Sequence, residues 1–173
     1  MEPSSLRPAA FLDRDGVINR DVGYIGDRSR FEFLPGVAEA IRLLNEAGYW
    51  VFVVTNQSGI ARGLFTEDQF LELTDWMLAE LASQGARIDR VFYCPHHPEE
   101  GQGEYRVDCD CRKPRPGMIL EAIQTFPVTK EGSFLIGDSE RDVQAAAEAG
   151  IRGWLAEPGR LLELVHELLA ERK

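Results

Sequence analysis

Trp50 to Thr55 reads Trp-Val-Phe-Val-Val-Thr, a β-branched and aromatic run with no polar residue alternating through it. A strand with one wet face alternates apolar and polar residues. This run does not, so it predicts a strand buried on both faces, the kind found in parallel sheets covered by helices. Ala9 to Leu12 is a second short apolar run, and Arg90 to Tyr93, Ser133 to Ile136 and Gly153 to Leu155 complete the set of expected strands. Segments of helical period lie between them. Val37, Ala40, Ile41 and Leu44 follow Pro35-Gly36 and are closed by Gly48. Phe70, Leu73, Met77, Leu78 and Leu81 follow the capping-box signature Thr66-Glu-Asp-Gln69 and carry a helix to about Ser83. Further helices are expected after Pro116-Gly117 (Met118, Ile119, Ala122, Ile123, Phe126), over an apolar stripe of Val143, Ala146 and Ala147 stopped by Gly150, and from about Arg160 to Ala170. Strands alternating with helices predict an α/β, Rossmann-like parallel sheet with helices on both faces.

At 173 residues and 44% apolar content, residues 1–173 are expected to form one domain with a real core. The formal net charge of -10 argues against non-specific binding to nucleic acid or to an anionic membrane. An anionic small substrate would then need a local basic pocket. No apolar run approaches the roughly 20 residues of a membrane span, and Met1 to Pro8 is polar without a signal-peptide core. The expectation is a soluble, cytoplasmic monomer.

The chemistry sorts onto one edge. Asp13 follows the first strand, Thr55 the second, Cys94 the third and Asp138 the fourth, and the carboxyl ends of strands are where open α/β sheets bind ligands. Asp13-Arg-Asp15-Gly16 is either a polar turn after a strand or a pair of carboxylates delivered to one ligand, since alternation puts both on one side. Asp138 is either the N-cap of the next helix or a third carboxylate, and converging carboxylates suit Mg²⁺. Asp142, inside that helix, fits a salt-bridge partner better than a ligand. Thr55-Asn56-Gln57-Ser58-Gly59 is either a plain polar loop or a cradle of hydroxyl, amide and backbone N–H groups for phosphate, extended by Arg62. Arg112-Lys113 is either solvated surface charge or the basic pocket that an anionic substrate requires.

From Pro95 to Pro116 there is no periodicity, a length that needs a function or a metal to hold it. All three cysteines fall within 18 residues, in Cys94-Pro-His96-His97 and Cys109-Asp-Cys111. Three thiolates and one imidazole make a closed, structural zinc site, with His96 preferred to His97; the alternative is free buried thiols. His166, on the last amphipathic segment, is expected to be a surface or core-edge residue.

In this order, Asp13-x-Asp15-Gly-Val, Thr55-Asn, Lys113-Pro and Gly-Asp138-x-x-x-Asp142 resemble the four motifs of the haloacid dehalogenase (HAD) superfamily. Thr55-Asn-Gln-Ser-Gly-Ile-Ala-Arg-Gly63 and the Cys-x-His…Cys-x-Cys-Arg-Lys-Pro cluster resemble its zinc-bearing sugar-bisphosphate phosphatases, those acting on D-glycero-D-manno-heptose 1,7-bisphosphate; histidinol-phosphate phosphatases share the zinc cluster. The resemblance spans roughly Ala9 to Leu155. It implies a HAD-like fold with a zinc loop over about 94–116 in place of a large cap domain. It further implies a Mg²⁺-dependent hydrolase of carbohydrate metabolism, in lipopolysaccharide biosynthesis or a related use of heptose. Asp13 would be the nucleophile and Asp15 the acid and base. Mg²⁺ would be held by Asp13, the backbone of Asp15 and Asp138, and phosphate by Thr55 and Lys113. Asp21, Val22, Gly23, Tyr24, Asn56, Gln57, Ser58 and Arg112 would contact the sugar phosphate, and Cys94, His96, Cys109 and Cys111 would bind Zn²⁺. Ser139 has no fixed family role. A phospho-aspartate receiver combines similar groups, but its acceptor follows an internal strand and it has no zinc cluster.

Overall fold

The structure, a computed structural model, describes residues 5–172; the first four residues of the polar Met1–Pro8 stretch, and Lys173, lie outside the described residues. Five strands, β1 (Ala9–Leu12), β2 (Trp50–Asn56), β3 (Arg90–Cys94), β4 (Phe134–Gly137) and β5 (Arg152–Leu155), form one sheet in the order β3-β2-β1-β4-β5. Every pairing is parallel. The helices are α1 (Val37–Glu46), α2 (Ser58–Ala61), α3 (Glu67–Ser83), α4 (Gly117–Thr125), α5 (Glu140–Ala149) and α6 (Leu161–Glu171). Among the described residues no helix is long and apolar enough to cross a membrane.

β1 lies at the centre, and its four residues are all buried. Alternate side chains feed two cores. Ala10 and Leu12, with Val51, Val53, Phe134 and Ile136, join Ile41, Leu44, Leu73, Met77 and Val165 from α1, α3 and α6. Ala9 and Phe11, with Phe52, Val54 and Leu135, join Met118, Ile119, Ala122, Ala145 and Ala146 from α4 and α5. A strand covered twice cannot spare positions for polar residues, which explains the unbroken run of β2.

The chain leaves β1 in one direction to build β2 and β3, then crosses back to build β4 and β5. The sheet therefore reverses its order between β1 and β4, and a crevice opens there beyond the carboxyl ends. Leu12, the last residue of β1, pairs with both Val53 and Ile136, and β2 runs on to Asn56 while β4 stops at Gly137. The next amide, of Asp13, donates to the Ile136 carbonyl at 3.0 Å. Strand order thus places Asp13 and Asp138 on either side of the crevice.

The structure departs from the sequence reading at three points. Ser58–Ala61 is a turn of helix within the stretch read as loop. Ser133 precedes the fourth strand, where its hydroxyl accepts from the Ala9 amide at 2.8 Å and donates to the Thr129 carbonyl at 2.6 Å. The inward face of α5 is Asp142, Ala145, Ala146 and Ala149, with Ala147 exposed. Of the expected stripe, Ala146 is buried and Val143 half-buried; alanine carries little directional signal and a buried ion pair turns an aspartate inward, so the face is rotated from the one apolar spacing predicts.

Phe52 is fully buried among Phe11, Phe92 and Phe126, with ring centroids 4.8 to 5.7 Å away. Phe52→Ala should lower the unfolding free energy by about 3–5 kcal/mol, read from the shift of the urea midpoint at constant slope; a loss below about 1 kcal/mol would contradict this packing.

Candidate active site

The floor of the crevice is a buried ion triad. Lys113, 3% exposed, donates its ammonium protons to Asp13 Oδ1 at 3.0 Å, Asp142 Oδ1 at 2.5 Å and the Val54 carbonyl at 2.9 Å. Burial works against the charge on Lys113, yet Asp13 and Asp142 raise its pKa, so it stays an ammonium. Burial pushes the Asp13 carboxyl up to about 7; Lys113 opposes the rise and Asp142 adds to it. Asp142 is fully engaged, because its Oδ2 accepts from the Ser139 amide at 3.2 Å and the Ser139 hydroxyl at 3.1 Å. It acts as a salt-bridge partner of Lys113.

Asp138 reaches Asp13 because of one glycine. Gly16 has φ +91°, and a Cβ built there would lie 2.1 Å from Asp138 Oδ2, so any side chain at 16 would expel the carboxylate. Burial, and then the charge of Asp142, raises the Asp138 carboxyl above its ordinary range. One oxygen each of Asp13, Asp138 and Asp142 lies within 4.8 Å of the others. With Asp142 tied to Lys113 and Ser139, Asp13 and Asp138 remain as the carboxylates that could hold a hard cation.

Asp15 is held at both oxygens. Oδ1 accepts from Arg14 Nη2 at 3.0 Å and Asn19 Nδ2 at 2.9 Å, and Oδ2 accepts from Gln57 Nε2 at 3.1 Å. Arg14 is itself 1% exposed, enclosed between the rings of Phe31 and Phe70, and donates to the Ile25 carbonyl. Gln57 also donates to Thr55 Oγ1 at 2.9 Å, so one amide joins the second strand end to the acid of the first. Arg14 and Asn19 lie inside and beside the acidic motif, but nothing in their spacing distinguished them from surface polar residues.

Asn56 faces the cavity while its amide grips the backbone of Lys113: Oδ1 accepts from the Lys113 amide at 2.9 Å and Nδ2 donates to its carbonyl at 3.1 Å. On the other side of that backbone stand the cysteines. Cys94, Cys109 and Cys111 Sγ lie 3.4 Å apart in two pairs, and His96 Nδ1 is 3.6 Å from Cys111 and 3.8 Å from Cys94. Thiolates at about 2.3 Å from a tetrahedral zinc stand about 3.8 Å apart, so this set needs only slight expansion to hold the ion. His97 does something else: its Nδ1 accepts from the amides of Glu99 and Glu100.

The cavity above the floor, about 450 Å³, is lined by Asp13, Asp15, Asp138, Lys113 and Asn56 below, and by Asp21, Gly23, Tyr24, Gln57, Ser58, Arg62 and Arg112 at the walls. Thr55 lies beneath this surface, 1% exposed, and Val22 points elsewhere, half exposed to solvent. His166 is exposed on α6. Ser139, Gly59 and Arg141 also line the cavity. Arg30, unmarked by any motif, latches the wall from outside, donating to the carbonyls of Val22, Gly23 and Tyr24 at 2.9 to 3.0 Å. Tyr24 takes φ +43°, an unusual conformation for a non-glycine residue, and its ring lies 5.4 Å from the Arg62 guanidinium.

Residues 110–166 match the HAD-hydrolase-like family. A Rhodopseudomonas palustris protein named D-glycero-beta-D-manno-heptose-1,7-bisphosphate 7-phosphatase is 56% identical over 165 residues, covering 95% of this chain and 92% of its own. Its namesake from Escherichia coli O6:H1 is 51% identical over 144 residues, 83% of this chain and 76% of its own. The crystal structure of D,D-heptose 1,7-bisphosphate phosphatase from B. bronchiseptica, complexed with magnesium and phosphate, aligns with a TM-score of 0.84 and 36% identity over 95% of this chain and 99% of that one. With these similarities set beside the acid pair, the buried lysine and the cysteine cluster, the chain belongs to the D-glycero-β-D-manno-heptose-1,7-bisphosphate 7-phosphatase family of HAD-like hydrolases.

Proposed function

We propose that this chain hydrolyses the C7 phosphate ester of D-glycero-β-D-manno-heptose 1,7-bisphosphate, releasing heptose 1-phosphate and inorganic phosphate. The observation that carries the reading is the Asp13 carboxylate, fixed at the bottom of a cavity with cationic walls, in a chain 56% identical to a relative of that name. That relative's name specifies the β anomer, which favours the β-bisphosphate as substrate.

Both donors to Asp13, the Arg14 amide and the Lys113 ammonium, go to Oδ1. Oδ2 is left to attack phosphorus, forming an aspartyl-phosphate as the C7 oxygen departs. Asp15 gives that oxygen a proton, then takes one from the water that attacks the phosphoenzyme, regenerating Asp13 and releasing phosphate. Lys113 offsets negative charge at the floor, and Thr55, whose oxygen already accepts from Gln57, has its own proton for a phosphoryl oxygen. Asp13, Asp138 and the backbone carbonyl of Asp15 would hold Mg²⁺, which supplies positive charge against the phosphoryl oxygens. Asp21, Gly23, Tyr24, Asn56, Gln57, Ser58 and Arg112 would surround the sugar, with Val22 contributing through the shape of its loop. Cys94, His96, Cys109 and Cys111 would hold Zn²⁺, a cross-link that stiffens the loop aiming Arg112 and Lys113.

The same reading takes residues 1–173 as one phosphatase domain acting as a monomer. The clustered thiols favour a reducing cytoplasm. Supply of heptose for lipopolysaccharide follows from the family resemblance, and the formal charge of -10 disfavours nucleic acid and anionic membrane as partners.

Asp13→Asn should abolish both turnover and phosphoenzyme formation; retained turnover would exclude Asp13 as nucleophile. In parallel kcat/KM measurements the β-heptose bisphosphate should exceed histidinol phosphate by about 100-fold or more, or about 2.7 kcal/mol of transition-state binding, with the α anomer between them; a preference for histidinol phosphate would overturn the heptose reading. Metal analysis should find about one zinc per chain. Cys109→Ala should lose that zinc together with most activity through disorder of the loop, and full activity in protein shown to be zinc-free would remove the role given to the cluster.

A further inference from the structure

Arg62, Arg112 and Arg141 line the same cavity but come from three separate places: the end of α2, the zinc loop and the first turn of α5. Acidic residues outnumber basic ones in this chain by 29 to 19. Even so, among the described residues none of the three is in an ion pair. Arg62 makes one long hydrogen bond, 3.4 Å to Ser58 Oγ, and stacks near Tyr24. Arg112 is partly buried with its Nη1 shut off from solvent and lacking any hydrogen-bond partner. Arg141 stands at the mouth as the second residue of α5, where the exposed amides of a helix start favour an acid over a base.

These placements are costly together. Three like charges share one cavity of about 450 Å³, and one of them keeps a buried nitrogen without a partner. A local preference broken at a cavity, with no protein group to compensate, points to a ligand that does. Guanidinium forks that no carboxylate has paired suit a phosphate dianion. The phosphate attacked by Asp13 already has Lys113 at the floor. The arginines form the walls and rim, and Ser139 beside them is short, its hydroxyl committed to Asp142, leaving the space to Arg141.

We propose that Arg141 is a specificity-determining residue that completes, with Arg62 and Arg112, a second anion subsite for the substrate phosphate that is not hydrolysed. The assignment rests on the bisphosphate reading above and extends it to a residue on α5. A substrate with one phosphate leaves the three charges facing each other, so the subsite selects for two.

The test compares kcat/KM for heptose 1,7-bisphosphate and heptose 7-phosphate in the wild type, Arg141→Gln and Arg141→Lys. The ratio of bisphosphate to monophosphate should fall about 10- to 100-fold in Arg141→Gln, with the change mainly in KM for the bisphosphate, and Arg141→Lys should recover part of it. An unchanged ratio, including one in which both substrates lose equally, would overturn the proposal. If the wild type hydrolyses neither heptose compound, the function reading fails separately. The subsite is then read from competitive inhibition of p-nitrophenyl phosphate hydrolysis by fructose 1,6-bisphosphate and fructose 6-phosphate. A tighter bisphosphate whose advantage shrinks in Arg141→Gln retains the subsite, and equal inhibition removes it.

Discussion

The ammonium of Lys113 is the point at which the architecture closes. Burying one cation and two carboxylates removes their hydration, a cost that only direct pairing and further hydrogen bonds offset. Here the offset comes from every side: Asp13 after β1, the Val54 carbonyl of β2, and Asp142 on α5 all accept from the one nitrogen. Asn56 holds the lysine's own backbone. Lose the cation and two acids remain face to face in a dry site. The net effect is therefore less a gain in stability than a demand for one geometry, in which strand ends, cysteine loop and α5 must sit together or not at all.

Around that point the fold keeps the acids distinct. Asp13 and Asp15 are two residues apart on one turn, yet the first is paired with a buried cation and the second is fixed by Arg14, Asn19 and Gln57. Gly16 admits Asp138 beside the first while the backbone turns away. Carboxylates that would repel in an unstructured loop are thus separated into partners with different neighbours, and this is how similar side chains come to do different work.

Much of this was legible before any coordinates. Apolar runs and helical spacing placed every strand and all helices but α2, because a doubly covered sheet leaves its strands no choice of residue. Asp13, Cys94 and Asp138 were legible because each closes or follows a strand, and Cys109, Cys111 and Lys113 because they cluster in a long loop with no periodicity. What the chain order could not reveal was contact across it. Asp142 is buried by a lysine 29 residues away, which rotates the inward face of α5 from the one expected while keeping Ala146 in it. Arg14 and Arg30 look like ordinary surface charges until their partners are seen. Arg141 occupies a position the motif leaves unspecified, and only its company in the cavity gives it meaning.

The Arg30 latch bears on where the shape of the cavity is decided. Its guanidinium donates to three successive carbonyls of the 22–24 segment, Nη1 to one and Nη2 to two. Arg30 itself does not line the cavity. The path of one wall therefore depends on a side chain outside it, and losing that side chain would leave all three carbonyls to water.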